Sequence, residues 1–232
     1  MLNNDCFNHV RMGYLMKNQF KTLFLIFGLA LIAPTALAAG DATKGKAMTA
    51  ICAGCHGADG NSAVSSFPKL AGLGEKYIIE QLKAIKDGTD RKVVEMTGML
   101  TNMNEQDFAD IAAFYSNQPM QLSGSQAMKV KTNSGMEVDA LKLGENLYRA
   151  GNSETKTPAC TGCHSPKGLG NAPAGYPRIG GQFAAYIEKQ LKDYRAGERT
   201  TDGSDQQIMR KVAQHLSDSE IKALANYVAG LN

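Results

Sequence analysis

The pattern Cys-x-x-Cys-His occurs twice in this chain, as Cys52-Ala53-Gly54-Cys55-His56 and as Cys160-Thr161-Gly162-Cys163-His164. The spacing suits covalent attachment of a haem: two sulfurs form thioethers to one porphyrin, and the next residue places an imidazole on the iron. Two such motifs, 108 positions apart and followed by similar sequence, predict two covalently bound haem c groups in two related domains. Size agrees with this. The 232 residues contain no Trp and only 7% aromatic side chains. A domain of about 90 residues lies near the limit at which a bound apolar group is needed to complete a core.

The first 38 residues read as an export signal. Lys17 and Lys21 precede an apolar run from Leu23 to Ala33, and the small residues Ala36-Leu37-Ala38 follow. That order predicts cleavage after Ala38 and a periplasmic location. The run is too short to span a bilayer, which takes roughly 20 apolar residues. A start at Met16 would serve equally, because residues 1–15 add nothing that a signal needs. Removal of residues 1–38 discards Cys6 and His9 and leaves every remaining cysteine in the two motifs. It also turns 25 basic against 22 acidic residues into 22 against 21. A nearly neutral mature chain offers no electrostatic case for nucleic acid or anionic lipid as a partner.

An internal repeat organises the rest. Phe67-Pro68-Lys69-Leu70-Ala71-Gly72 recurs as Tyr176-Pro177-Arg178-Ile179-Gly180-Gly181. Tyr77, Gln81, Leu82 and Gly88 recur at the same offset as Tyr186, Gln190, Leu191 and Gly197. Met96 then pairs with Met209 after about four extra residues, and Asn104-Glu105-Gln106-Asp107 pairs with Ser217-Asp218-Ser219-Glu220. The last pair has the form of helix N-caps with an acid at the third helical position. Apolar spacing predicts helices throughout, including one around Lys44–Ile51 and one around Ala140–Arg149, with no convincing strand. The fold class is all-α. The expected divisions are a first domain over 39–117, a linker over 118–137, and a second domain over 138–232.

His56 and His164 are the expected proximal iron ligands. The first half holds no other histidine once His9 is removed, so its sixth ligand is a methionine or the iron is open. In the second half Met209 is the single methionine after His164, and the repeat pairs it with Met96 rather than with Met99 or Met103. His215, matched by Asn102, reads as a surface or packing residue. A thioether ligand favours ferrous iron and a higher potential than two histidines would give. With both axial positions filled, no vacancy remains for peroxide, oxygen or nitrite, and no residue is assigned a catalytic role. Pro68 and Pro177 follow their histidines by 12 and 13 residues. Each is placed to turn its carbonyl towards the histidine Nδ1 hydrogen.

The segments CAGCHGADGNS, FPKLAGLGEKY, RKVVEMTGML, CTGCHSPKGLGN and YPRIGGQ together resemble class I cytochrome c twice over, and in order the dihaem cytochrome c4 family of periplasmic proteins. The resemblance implies two tandem domains about a pseudo-twofold axis, with haem edges and propionates facing one another. It also implies a glycine in the first helix of each half (Gly45, Gly144) crossing an aromatic of the last (Phe114, Tyr227). It implies electron transport in respiration, from a donor such as a quinol-oxidising complex to an acceptor such as a haem–copper oxidase.

Three other readings compete. A dihaem peroxidase or thiosulfate-oxidising enzyme would need an open iron, which the paired methionines oppose. A four-cysteine zinc centre or a dithiol redox motif would not need the histidine after each pair. A subunit or membrane-tethered partner of a respiratory complex would carry the same motifs as a free carrier. A pyridine haemochrome assay on the exported protein is expected to give two covalent haems per chain. Zero would remove the reading.

Overall fold

Asp41 starts the first helix by accepting hydrogen bonds from the N–H groups of Thr43 and Lys44, the donors that a helix leaves unpaired at its start. The computed structural model describes residues 39–232. The export signal, with Cys6, His9, Met16 and the cleavage after Ala38, lies outside the described residues. Helices α1 (Ala42–Met48) and α2 (Ala50–His56) replace the single helix expected around Lys44–Ile51. They break at Thr49, whose hydroxyl donates to the Lys46 carbonyl at 2.9 Å and so competes with the helical ladder. The break puts the first Cys-x-x-Cys-His motif on α2, at its C-terminal end.

Helix α3 (Glu75–Asp87) stops at Gly88, which takes the left-handed conformation that glycine adopts without strain. Helix α4 (Val94–Leu100) carries Met96. Helix α5 (Glu105–Ser116) begins with the expected capping box, Asn104 against Asp107. The second half repeats this order after a crossing segment: α6 (Ala140–Ala150), α7 (Thr161–His164), α8 (Ala184–Ala196, stopped at Gly197), α9 (Ile208–Ala213) and α10 (Asp218–Gly230). Ser217 and Glu220 make the second capping box, before α10.

The crossing segment contains a feature absent from the sequence expectation. Lys129–Lys131 and Glu137–Asp139 form a two-stranded antiparallel hairpin, β1 and β2 in chain order before α6. Its turn closes between Thr132 and Met136, with Gly135 at φ 85°. Val130 is the inward residue of β1 and packs with Ala140 and Ala223. One buried residue between two exposed lysines is too short a pattern to show the two-residue period of a strand.

In each half the first helix crosses the last at backbone contact. A Cβ at Gly45 would stand 1.9 Å from the Asp110 carbonyl oxygen on α5. One at Gly144 would stand 2.3 Å from the Ala223 carbonyl oxygen and 2.7 Å from the Tyr227 Cβ on α10. Tyr227 is thus the aromatic at the second crossing, whereas the atoms nearest Gly45 belong to Asp110 and Ile111 rather than to Phe114. Each half has its own core. The first gathers Ile78, Leu82, Ile85, Phe108, Ile111 and Tyr115, and the second gathers Leu147, Tyr148, Leu216, Ile221, Leu224 and Val228.

The halves meet through reciprocal bonds between repeat-related residues, as a pseudo-twofold arrangement requires. Arg91 donates to the Tyr186 hydroxyl at 2.7 Å, and Arg199 donates to the Tyr77 hydroxyl at 3.0 Å. Arg199, only 4% exposed, also donates to Gln81 at 2.7 Å, Gln190 at 2.5 Å and Thr201 at 3.0 Å. Its guanidinium lies 4.7 Å over the Tyr194 ring. Burial works against its charge, but Tyr77, Tyr194 and Tyr186 together hold it protonated.

Gly144→Ala is expected to lower stability by about 1–3 kcal/mol, because the methyl meets backbone that cannot move aside. Gly98→Ala, with open space around the added Cβ, should be neutral or raise stability by up to about 1 kcal/mol. Thermal unfolding of the two variants checks the difference in sign.

Candidate haem sites

Helix α2 places Cys52, Cys55 and His56 at positions i, i+3 and i+4, and so on one face. The second motif is tighter: Cys160 is the N-cap of the single turn α7, with Cys163 and His164 inside it. None of the four cysteines is in a disulfide, and all four are partly buried. Burial pushes the Cys52 thiol up and the Cys160 thiol up to about 11. Among the described residues no group of three or more His, Cys, Asp or Glu side chains comes together in a way that could hold a metal ion, so the two pairs do not form one four-cysteine centre.

Both histidines are buried, and both are oriented by the same bond. His56 Nδ1 lies 2.8 Å from the Pro68 carbonyl oxygen, and His164 Nδ1 lies 2.9 Å from that of Pro177. A carbonyl only accepts, so each Nδ1 carries the hydrogen and each Nε2 presents its lone pair. Burial lowers the pKa of both rings, against the opposing pull of the proline carbonyls. The rings are therefore neutral at pH 7, the form that binds iron. The aromatic before each proline also contacts the ring: Phe67 sits 6.3 Å from His56, edge-on, and Tyr176 sits 6.4 Å from His164.

The loop that returns each proline is closed by a glycine that the sequence reading did not single out. Gly60 and Gly168 each stand four residues after a motif histidine and adopt φ 79° and 68°. The Gly60 carbonyl accepts from the N–H groups of Leu70 and Ala71, and the Gly168 carbonyl from those of Ile179 and Gly180. A Cβ at Gly60 would clash with the Tyr115 ring and with Ala71 N, at 2.7 and 2.8 Å. The signal was visible as a glycine at the same offset in both copies.

The methionines occupy matching short helices. Met96 lies in the first turn of α4 and packs against the first core, and Met209 lies in the first turn of α9, half-buried. Met99 is exposed on α4, Met103 packs against the core, and His215 is exposed, its ring within hydrogen-bond distance of Gln214. The two segments are held differently. Beside Met209, Arg210 donates its Nε and its backbone N–H to the two oxygens of the buried Asp202, at 2.9 and 2.8 Å. Beside Met96, the Thr97 hydroxyl donates only to backbone, with Val93 O at 3.1 Å.

Each half thus offers two cysteines on one face and a neutral imidazole with its Nδ1 hydrogen committed to a proline carbonyl. That donor set fits a covalent haem c. In the first half the buried Tyr115 hydroxyl, beside Cys52 and Thr49, has no hydrogen-bond partner among the described residues. In the second half Tyr148 lies beside Cys160 and donates to the Ser165 carbonyl at 2.6 Å.

Known proteins agree with this geometry. The family description of cytochrome c matches twice, over residues 42–118 and 141–232. The chain is 46% identical over 225 residues to the cytochrome c4 of Azotobacter vinelandii, covering 94% of this chain and 100% of that protein. The crystal structure of reduced recombinant cytochrome c4 from Pseudomonas stutzeri superposes with a TM-score of 0.76 at 47% identity, over 84% of this chain and 100% of that one. A thiosulfate dehydrogenase from Marichromatium purpuratum superposes at 0.68 with 30% identity, over 82% of this chain but only 40% of that one. The chain belongs to the cytochrome c4 family: it is a cytochrome c with two covalent haem c groups, an electron carrier and not an enzyme.

Proposed function

We propose that the chain is a periplasmic carrier of the respiratory chain, taking electrons from a quinol-oxidising complex and passing them towards a haem–copper terminal oxidase. The ligand sets of this reading are Cys52, Cys55, His56 and Met96 in a first domain over 39–117, and Cys160, Cys163, His164 and Met209 in a second over 138–232. The observation that carries it is the twofold repetition of one imidazole geometry, His56 on Pro68 and His164 on Pro177, with Met96 and Met209 each in the first turn of a matching short helix.

When bound, each haem supplies a one-electron change of iron between ferric and ferrous. The protein's part is to keep that change small in structural terms. The proline carbonyls hold the imidazoles in one orientation and one tautomer. The fully buried Tyr115 and Tyr148 pack an apolar core beside the first cysteine of each motif. Met96 and Met209 would each supply a thioether to the iron, which would raise its potential and leave no place for a small substrate. The likeness to a thiosulfate dehydrogenase covers 40% of that chain, which leaves the carrier reading in front.

Met96→Ala is expected to lower one midpoint potential by on the order of 0.1 V, within the roughly 0.8 V span that axial ligands command. It should also open one iron, seen as a high-spin ferric signal, and leave the other haem unchanged. A redox titration resolving both haems, with electron paramagnetic resonance, checks this; an equal response of both haems contradicts independent ligand sets. Export is checked by the mass of the mature protein, which should begin at Ala39.

A further inference from the structure

The repeat is broken at one buried contact between the halves. Gln182, 3% exposed, belongs to the second half, where its counterpart in the first is Leu73. Its Oε1 accepts from the Lys69 N–H at 3.0 Å and from the Phe183 N–H at 3.0 Å, and its Nε2 donates to the Lys69 carbonyl at 2.9 Å. Two N–H groups can only donate and a carbonyl can only accept, so the partners fix which way the amide points.

The Lys69 N–H belongs to the same peptide group as the Pro68 carbonyl, and that carbonyl accepts from His56 Nδ1 at 2.8 Å. Resonance ties the two ends of a peptide group together. Donation from its N–H places more negative charge on its oxygen, and hydrogen bonds in series strengthen one another in a buried setting. A chain therefore runs from Gln182 Oε1 through the Pro68–Lys69 peptide to His56. The second half has no such chain. Among the described residues nothing accepts from the N–H of Arg178, which follows Pro177. Arg178 instead folds its own side chain onto the Gly180 carbonyl at 3.1 Å.

We propose that Gln182 is a positioning residue for electron transfer, which lowers the potential of the first haem by polarising the Pro68–Lys69 peptide against His56. A stronger acceptor at Nδ1 gives the imidazole more anionic character, and a more anionic ligand favours ferric iron. The halves are then electronically coupled through protein: docking of the second half tunes the haem of the first. This rests on the reading of His56 and Met96 as ligands of the first iron.

The test uses the full dihaem protein with Gln182→Leu, which removes all three side-chain hydrogen bonds at nearly the same volume. Met96→Ala identifies which midpoint belongs to the first haem. At a fixed poise the ratio of reduced to oxidised first haem should rise about twofold to tenfold, the range covered by one hydrogen bond's net contribution. In the reduced protein the His56 Nδ1–H resonance should move upfield. The second midpoint and the His164 Nδ1–H resonance should stay in place. Gln182→Glu, which keeps an acceptor for Lys69 N–H, should move the ratio and the resonance the opposite way, which loosening of the interface would not do. The proposal is overturned if Gln182→Leu leaves the first midpoint and the His56 signal unmoved, or if both haems shift equally. A failure of the ligand reading shows separately, as absence of the far-red iron–methionine band in the unsubstituted protein.

Discussion

An imidazole offers two nitrogens, and a metal site built on it works only if one of them is committed elsewhere. In this chain the commitment is made twice by a proline carbonyl, at 2.8 and 2.9 Å. Much of the local structure exists to bring those carbonyls back. The glycines at 60 and 168 turn the chain after each motif, their carbonyls catch the returning loop, and Phe67 and Tyr176 press on the rings from the side. Proline suits the position because it has no N–H of its own to satisfy and its φ is already set.

Around this shared device the halves have diverged in how they fill the same space. The aromatic beside the first cysteine comes from the last helix in one half (Tyr115 on α5) and from the first helix in the other (Tyr148 on α6). The methionine segment is pinned by Arg210 on the enclosed Asp202 carboxylate in one half and by backbone contacts in the other. What did not diverge is the crossing at Gly45 and Gly144, where only a hydrogen atom fits. Packing tolerates exchange of side chains between elements so long as volume is kept, whereas a backbone contact has no substitute.

Local chemistry was legible from residues alone. The capping boxes, the stops at Gly88 and Gly197, the proline–histidine pairing and the domain repeat all depend on neighbours within a few turns, and spacing displays them. Contacts between the halves were not legible. Arg91, Arg199 and Gln182 lie 95 to 122 positions from partners in the other half, and nothing in periodicity marks an arginine as buried. The hairpin at 129–139 and the break at Thr49 were missed for the opposite reason. Each is too short to establish a period, and each is decided by one side chain, Val130 in the first case and the Thr49 hydroxyl in the second.

The segment between the halves is bonded along its length to both. The backbone N–H of Gln121 donates to Asn61, and the Gln121 carbonyl accepts from the Lys69 ammonium. Ser123 and Gly124 donate to Gly181 and Ala229, and Gln126 exchanges two bonds with Asn226. Such a segment is a brace and not a tether. Two carriers on a loose tether would exchange electrons at the mercy of encounter, with a spread of distances and a spread of rates. Braced carriers have one separation, so transfer between them becomes a constant of the molecule that viscosity, salt and crowding leave alone.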